Sequence, residues 1–410
     1  MKHFILFFLL IFGIGGVAHS QQLSQMYDAA IQKMEAEDYN GAIEGFTKIL
    51  NQSQYYYDAH LSRGICYEKL KKMDLALADY NDAIKKNPKF HEAYYQRALF
   101  YSSVKKDDKT AIADLSKAIE IKSNFFPAYV QRGDLYMKGE QYALASKDYS
   151  KAIEIRSSAW EIIYKRAFSY LSEDKNNEAL ADFSTVIKLK PDYKEAYYER
   201  GKVYEQRAEY AKAIADYSKA VDLGIKNDEI YTHRANLYYT TKEYKPAIED
   251  YTLLVTQYKK RLPEFYSRRG VCFTSTGDSI SAQKDFTRAI SLDKSNYIIY
   301  VYRAENHMKR KRLSYALNDY KKAIELSPKS WDIYYSRGMI YMELEKYQEA
   351  MDDFSMAIKY NKEEKFAEGY FMRGACKDAL KDVAGACADL KKAASLHHQE
   401  ALKRVEKYCR

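Results

Sequence analysis

The amino-acid sequence predicts an all-helical solenoid of eleven antiparallel helix pairs closed by a C-terminal capping helix, and three observations carry that prediction. Alanine recurs about every 34 residues at positions 42, 76, 111, 145, 179, 213, 247, 282, 316, 350 and 386. Twelve residues upstream of each, or thirteen in the third repeat, stands a second small residue: Ala30, Gly64, Ala98, Gly133, Ala167, Gly201, Ala235, Gly270, Ala304, Gly338 and Gly374. Large side chains then follow at spacings of three and four, which keeps them on one helical stripe.

The N-terminal residues differ in character from the rest of the chain. Lys2 gives a positive start, residues 4–17 are uncharged and apolar, and Ala18, His19 and Ser20 are suitable for cleavage. That is the layout of a secretory signal peptide. The apolar run is shorter than the roughly 20 residues that a membrane-spanning helix needs. Cleavage is expected after Ser20, and no cysteine stands there to carry a lipid. The domain plan is therefore 1–20 signal, 21–396 solenoid and 397–410 capping helix, in an exported protein of the periplasm or cell exterior.

Composition fits this plan. At 47% hydrophobic and 30% charged, the 410-residue chain has enough apolar mass for a long core. Cleavage removes one lysine and lowers the formal net charge from +9 to +8. Spread over the whole chain, this permits an acidic partner or peripheral contact with an envelope surface without demanding either. No basic run reads as a nucleic-acid arm.

Within each repeat, paired small residues allow two helices to cross closely, so each repeat is an antiparallel hairpin. Aromatics surround the crossing, as at Tyr67, Tyr136 and Phe273 after the first small column, or Tyr80, Phe183 and Tyr320 after the alanine. Pro88, Pro191 and Pro328 mark ends of second helices. Insertions of one or two residues before repeats four, eight and eleven are expected in turns. The last segment alternates Ala401, Leu402, Val405 and Tyr408 with Lys403, Arg404, Glu406 and Lys407, an amphipathic cap for an end that has no further neighbour.

These columns resemble the tetratricopeptide repeat family: small at position eight, alanine at twenty, aromatic at twenty-four, often alanine at twenty-seven, over about residues 23–396. The resemblance implies a right-handed superhelical solenoid whose first helices line a concave groove, with positions two, five, nine and twelve pointing into it. On that basis the candidate protein-binding residues are Tyr95, Tyr164, Tyr198, Tyr335 and Phe371 at position five, with Met137, Tyr239, Met308 and Met342 at position twelve. Such aromatic and methionine side chains suit a peptide or helix. They equally suit packing between neighbouring first helices, and position two, mostly acidic as at Asp58, Glu195 and Glu368, suits a helix N-terminus. The lysine and asparagine pair with which some family members hold a peptide carboxylate is missing, since Asn236 is accompanied by Thr232.

One column departs from the leucine usual in this family at position seven. Ten repeats carry arginine there and aspartate at twenty-three, among them Arg200 with Asp216 and Arg337 with Asp353, while the first repeat has Ala29 and Gly45. Joint loss of both partners suggests that they face one another across the hairpin. A planar guanidinium suits a carboxylate, so a structural ladder is favoured over an arginine row for an acidic ligand.

Five cysteines leave at least one thiol unpaired in an exported chain. Cys387 and Cys409 come level if the last hairpin and cap fold back near His398, and Cys376 with Cys387 competes. The terminal pattern also looks like the closing segment of secreted bacterial repeat proteins, some of them Sel1-like, which favours a bacterial source. No metalloprotease histidine pair, phosphate loop or serine elbow occurs. The expected protein is not an enzyme, takes no cofactor, metal, nucleic acid or small-molecule substrate, and holds a protein or peptide ligand. Helical repeats that read RNA are disfavoured by the period, the export signal and the acidic column; a recruiting subunit of an envelope enzyme complex is the alternative.

Overall fold

The computed structural model describes residues 20–361 and 366–409, so the proposed signal segment lies outside the described residues apart from Ser20. All regular structure among the described residues is helical. The chain forms two compact units, one ending at Val203 and one beginning at Tyr204.

In the first unit, α1 (residues 20–35) pairs with α2 (Tyr39–Gln52), α3 (Tyr57–Lys69) with α4 (Met73–Lys86), and α5 (His91–Phe100) with α6 (Asp108–Ile121). Then α7 (Phe126–Lys138) pairs with α8 (Tyr142–Ile155) and α9 (Trp160–Ser172) with α10 (Asn176–Leu189). The boundary falls within α11 (Lys194–Gln206). The second unit continues through α12 (Tyr210–Asp222) to the pairs α13 (Asp228–Thr240) with α14 (Tyr244–Thr256) and α15 (Pro263–Thr276) with α16 (Ser279–Leu292). Next come α17 (Tyr297–Lys309) with α18 (Leu313–Leu326), α19 (Trp331–Glu343) with α20 (Tyr347–Tyr360), α21 (Ala367–Ala379) with α22 (Val383–Ser395), and the cap α23 (Gln399–Tyr408).

Within each unit a helix touches its neighbours in chain order, which is the all-helical solenoid that the repeating columns predict. The small columns do what their size demands. Ala76, Ala98, Ala167, Ala247, Ala316 and Ala350 are fully buried, and the position-twenty-four rings Tyr80, Phe183, Tyr251 and Phe354 fill the space beside them. A methyl on Gly64 would stand 2.7 Å from the Tyr80 ring, and one on Gly338 would stand 2.9 Å from Phe354. Glycine fits there with the ring in place, and a methyl fits only if the ring shifts.

The turn inside each hairpin uses a residue with positive φ, usually not glycine: Lys71, Glu140, Asp174, Lys311 and Glu345 are examples, and Gly277 is the glycine. The following amide closes back onto the first helix, as Lys72 N does on Tyr67 O at 2.8 Å. The insertions divide. The extra residue counted before repeat four falls inside the third repeat and is absorbed in a π-helical segment, Tyr101–Lys105, that prolongs α5, which corrects the expectation of a turn. Before repeat eight it lengthens the segment between Thr256 and Pro263. Before repeat eleven it falls largely outside the described residues.

Candidate protein-binding face

The arginine and aspartate columns meet. In nine repeats the arginine Nε and Nη2 donate to the two oxygens of one carboxylate: Arg63 to Asp79, Arg97 to Asp114, Arg132 to Asp148, Arg166 to Asp182, Arg234 to Asp250, Arg269 to Asp285, Arg303 to Asp319, Arg337 to Asp353 and Arg373 to Asp389, all at 2.6–2.9 Å. Arg200 and Asp216 stand on opposite sides of the boundary between the units. A third bond was not foreseen. The remaining nitrogen, Nη1, reaches back to the second helix of the preceding repeat: Arg63 to Thr47, Arg132 to Ser116, Arg166 to Ser150 and Arg200 to Ser184, at 2.9–3.1 Å. Arg63, Arg132 and Arg166 thus fix their own hairpins and tie them to the ones before. Burial raises the Asp353 carboxyl above its ordinary value, although Arg337 pulls the other way.

The nine candidate groove residues are all partly buried, and their company differs. Tyr95 packs on Phe125, Tyr164 on Tyr193, Tyr335 on Phe366 and Phe371 on His398, with ring centroids 4.2–5.7 Å apart. In each case the second ring belongs to the residue that precedes the next first helix. These four position-five aromatics are therefore a clasp between successive repeats. Tyr198 lies beside Lys202, whose ammonium is 5.4 Å from its ring. Met137 packs against the fourth-repeat cluster around Tyr149. Tyr239 lies under the Arg268 guanidinium at 5.5 Å, Met308 receives the Tyr320 hydroxyl at 3.6 Å, and Met342 receives the Cys376 thiol at 3.1 Å.

Position six, which no column of like residues singles out, supplies polar stitches along the same face. Asp134 of α7 accepts from the Tyr149 hydroxyl at 2.6 Å and from Lys165 of α9 at 2.7 and 2.8 Å. In the second unit, Glu205 accepts from Tyr217 at 2.6 Å and from His233 at 2.8 Å. Asn236 accepts from Tyr251 and from Arg268, both at 2.7 Å. A polar group at position nine or twelve thus takes the tyrosine of its own hairpin and a donor at position six of the next. Period alone does not reveal this, because the donors are chemically different.

At the end of the second unit Cys387 and Cys409 form a disulfide that joins α22 to the residue after α23. Cys66, Cys272 and Cys376 are buried free thiols, pushed up to about 11, 12 and 12 by desolvation. Thiols so raised stay protonated and make poor nucleophiles. His60, Asp79 and Asp82 bring ligand-type atoms within 4.8 Å of one another. Asp79 is already held by Arg63 and by His60 Nδ1 at 3.1 Å, so this cluster belongs to the ladder. No helix among the described residues is long and apolar enough to cross a membrane.

Comparison with known proteins agrees with the repeat geometry. Tetratricopeptide repeat families match residues 57–90 and 331–364, 126–158 and 194–223, and a further TPR repeat family matches 169–207 and 307–344. The chain carries tetratricopeptide repeats. Human tetratricopeptide repeat protein 13 is 33% identical over 112 residues, 26% of this chain and 13% of that protein. Bovine DnaJ homolog subfamily C member 3 is 40% identical over 63 residues, 15% of this chain and 12% of that protein. The chain thus aligns with only a small part of either relative. A crystal structure of a tetratricopeptide repeat protein from Parabacteroides merdae aligns with 61% of this chain and 98% of its own at 20% identity, with a TM-score of 0.43. Such repeat proteins are generally interaction scaffolds without catalytic activity.

Proposed function

We propose that this chain is an exported adaptor of the cell envelope that binds a segment of another protein along the inner face of its first helices. One contrast carries the reading. Positions eight, twenty and twenty-four are sealed, whereas large side chains at nine and twelve remain partly open on one stripe: Met339 is exposed, and Met308 and Met342 border the core without being covered. Methionine there gives an adaptable apolar surface for a peptide. Export is supported by the residues 1–20 pattern and by the Cys387–Cys409 disulfide, a bond that persists in oxidising compartments.

A photoreactive residue at Met339 of the full chain, compared with one at outward-facing Leu75, tests this in the native host. Cross-links to one protein segment from Met339 but not from Leu75, together with a mature chain that starts at Gln21, are the expected result. Equal labelling at the two positions would overturn the binding face, and a chain retaining its first residues in the cytosol would overturn export.

A further inference from the structure

We infer that the stripe formed by α17 and α19 binds a lysine or arginine side chain flanked by aliphatic residues, with Glu305 as its counter-charge. This deepens the proposed function and rests on it.

Glu305 occupies position nine of α17, the place that Asp134 holds in α7 and Asn236 in α13. Both of those accept a tyrosine hydroxyl from their own hairpin and a cationic donor from position six of the next repeat. At Glu305 both donors are diverted. The Tyr320 hydroxyl turns to Met308 Sδ, and position six of α19 is Ser336, which hydrogen-bonds Tyr320 and carries no charge. Among the described residues Glu305 has no hydrogen bond or ion pair. The cation nearest in effect is Lys309, whose ammonium points to Thr274 O at 3.4 Å.

Glu305 as a whole residue is exposed, yet surrounding protein raises its carboxyl above the ordinary value by desolvation. That combination describes an acid on a recessed surface. An acid already partly stripped of water and lacking an internal partner gains more from an incoming cation than one on an open surface. Met308 stands one turn along α17, and Met339 and Met342 occupy the matching places on α19. They offer apolar contact on either side of the charge, so a lone ammonium satisfies half of the surface and a plain aliphatic segment the other half.

The test uses the full-length chain and three fluorescent heptapeptides, Gly-Leu-Leu-X-Leu-Leu-Gly, with X as lysine, norleucine or glutamate. Wild type is expected to bind the lysine peptide at least tenfold more tightly than the norleucine peptide and to reject the glutamate peptide. Glu305→Gln should abolish the preference, and Glu305→Lys should transfer it to glutamate; circular dichroism checks that both fold. If wild type does not distinguish the peptides, or Glu305→Gln leaves the preference intact, the assignment is overturned. If Met339→Ser weakens all three peptides while Glu305 variants change nothing, the binding face stands and its cationic ligand falls. If neither substitution matters, both fall.

Discussion

Replacing Arg337 by alanine tests the ladder at a repeat where its geometry is fully defined. Arg337 donates two hydrogen bonds of 2.8 and 2.7 Å to Asp353, and the side chains are 18% and 6% exposed. An exposed ion pair contributes about 0–1 kcal/mol, whereas removing one member of a buried pair costs about 3–5 kcal/mol because the other charge is left in the interior. The partial exposure of the guanidinium discounts the upper range, giving roughly 3 kcal/mol and a fall of about 6–12 °C in melting temperature for a unit of about 200 residues. Asp353→Ala alone should cost a similar amount, and the double variant only slightly more than either single. Urea unfolding of the four proteins measures that coupling, expected at about 2–3 kcal/mol. The pH dependence has a definite sign. Burial already raises Asp353, and without Arg337 nothing opposes it. Between the ordinary carboxylate value and the raised one, the folded state of the variant holds the proton that the unfolded state has lost, so stability falls as pH rises through that window. The variant should therefore lie closer to wild type at pH 5 than at pH 7.5. Additive single losses, or a deficit that grows on acidification, would refute the reasoning.

Three further outcomes concern other places in the second unit. Cys409→Ser opens a covalent loop with a sequence separation of 22 and should cost roughly 3 kcal/mol, seen as earlier proteolysis of α22 and α23 in the oxidised protein, with no difference between the two proteins after reduction. His307 is buried against Tyr315 with an unbonded Nδ1, and burial lowers its folded value, with Arg303, Arg310 and Arg312 adding to the effect and Asp319 opposing it. Its unfolded form takes up a proton first on acidification, so wild type should lose stability as pH falls below about 6.5, and His307→Phe should lose less over the same range. Gly338→Ala places a methyl against Phe354 and should cost about 1–3 kcal/mol, measured by urea unfolding; a neutral effect would mean that the ring moves freely.

The hairpins were legible because steric demand leaves few options. Only glycine or alanine fits beside a ring such as Tyr80 or Phe354, so period and phase stand plainly in the residues. Much of the ladder was legible for the same reason, since the first repeat lacks both arginine and aspartate. Its third bond was hidden: the acceptor alternates among Thr47, Asn81, Ser116 and Ser150, which share a polar atom and no single identity. The intra-hairpin turns were hidden too, because lysine, glutamate and aspartate adopt the positive φ that glycine would have announced. At position five the residue type could not separate groove from packing; Tyr95, Tyr164, Tyr335 and Phe371 make ring contacts with the residue before the next helix and each stays partly exposed. The third-repeat insertion deceived for a related reason, since a π-helical turn takes in one extra residue without leaving the helix.

A repeat array is held by its seams, and the seam between repeats nine and ten lacks two polar links that several other seams carry. In eight repeats the arginine Nη1 reaches back to a hydroxyl or amide of the preceding second helix; among the described residues Arg303 and Arg337 hydrogen-bond only their own aspartates, and at the seam of Arg337 the corresponding residue is Lys321. In α7 and α13 the position-nine acceptor takes a charged donor from the next repeat; here that place holds Ser336, and Glu305 has no hydrogen bond or ion pair among the described residues, with Lys309 acting on it only from further off. One such loss would be ordinary variation within a repeat. Both together leave this seam without either link, at a stretch lined by Met308, Met339 and Met342. Methionine side chains, a seam without these two links and a carboxylate with no hydrogen-bonded partner among the described residues describe a surface suited to a segment that brings its own cation.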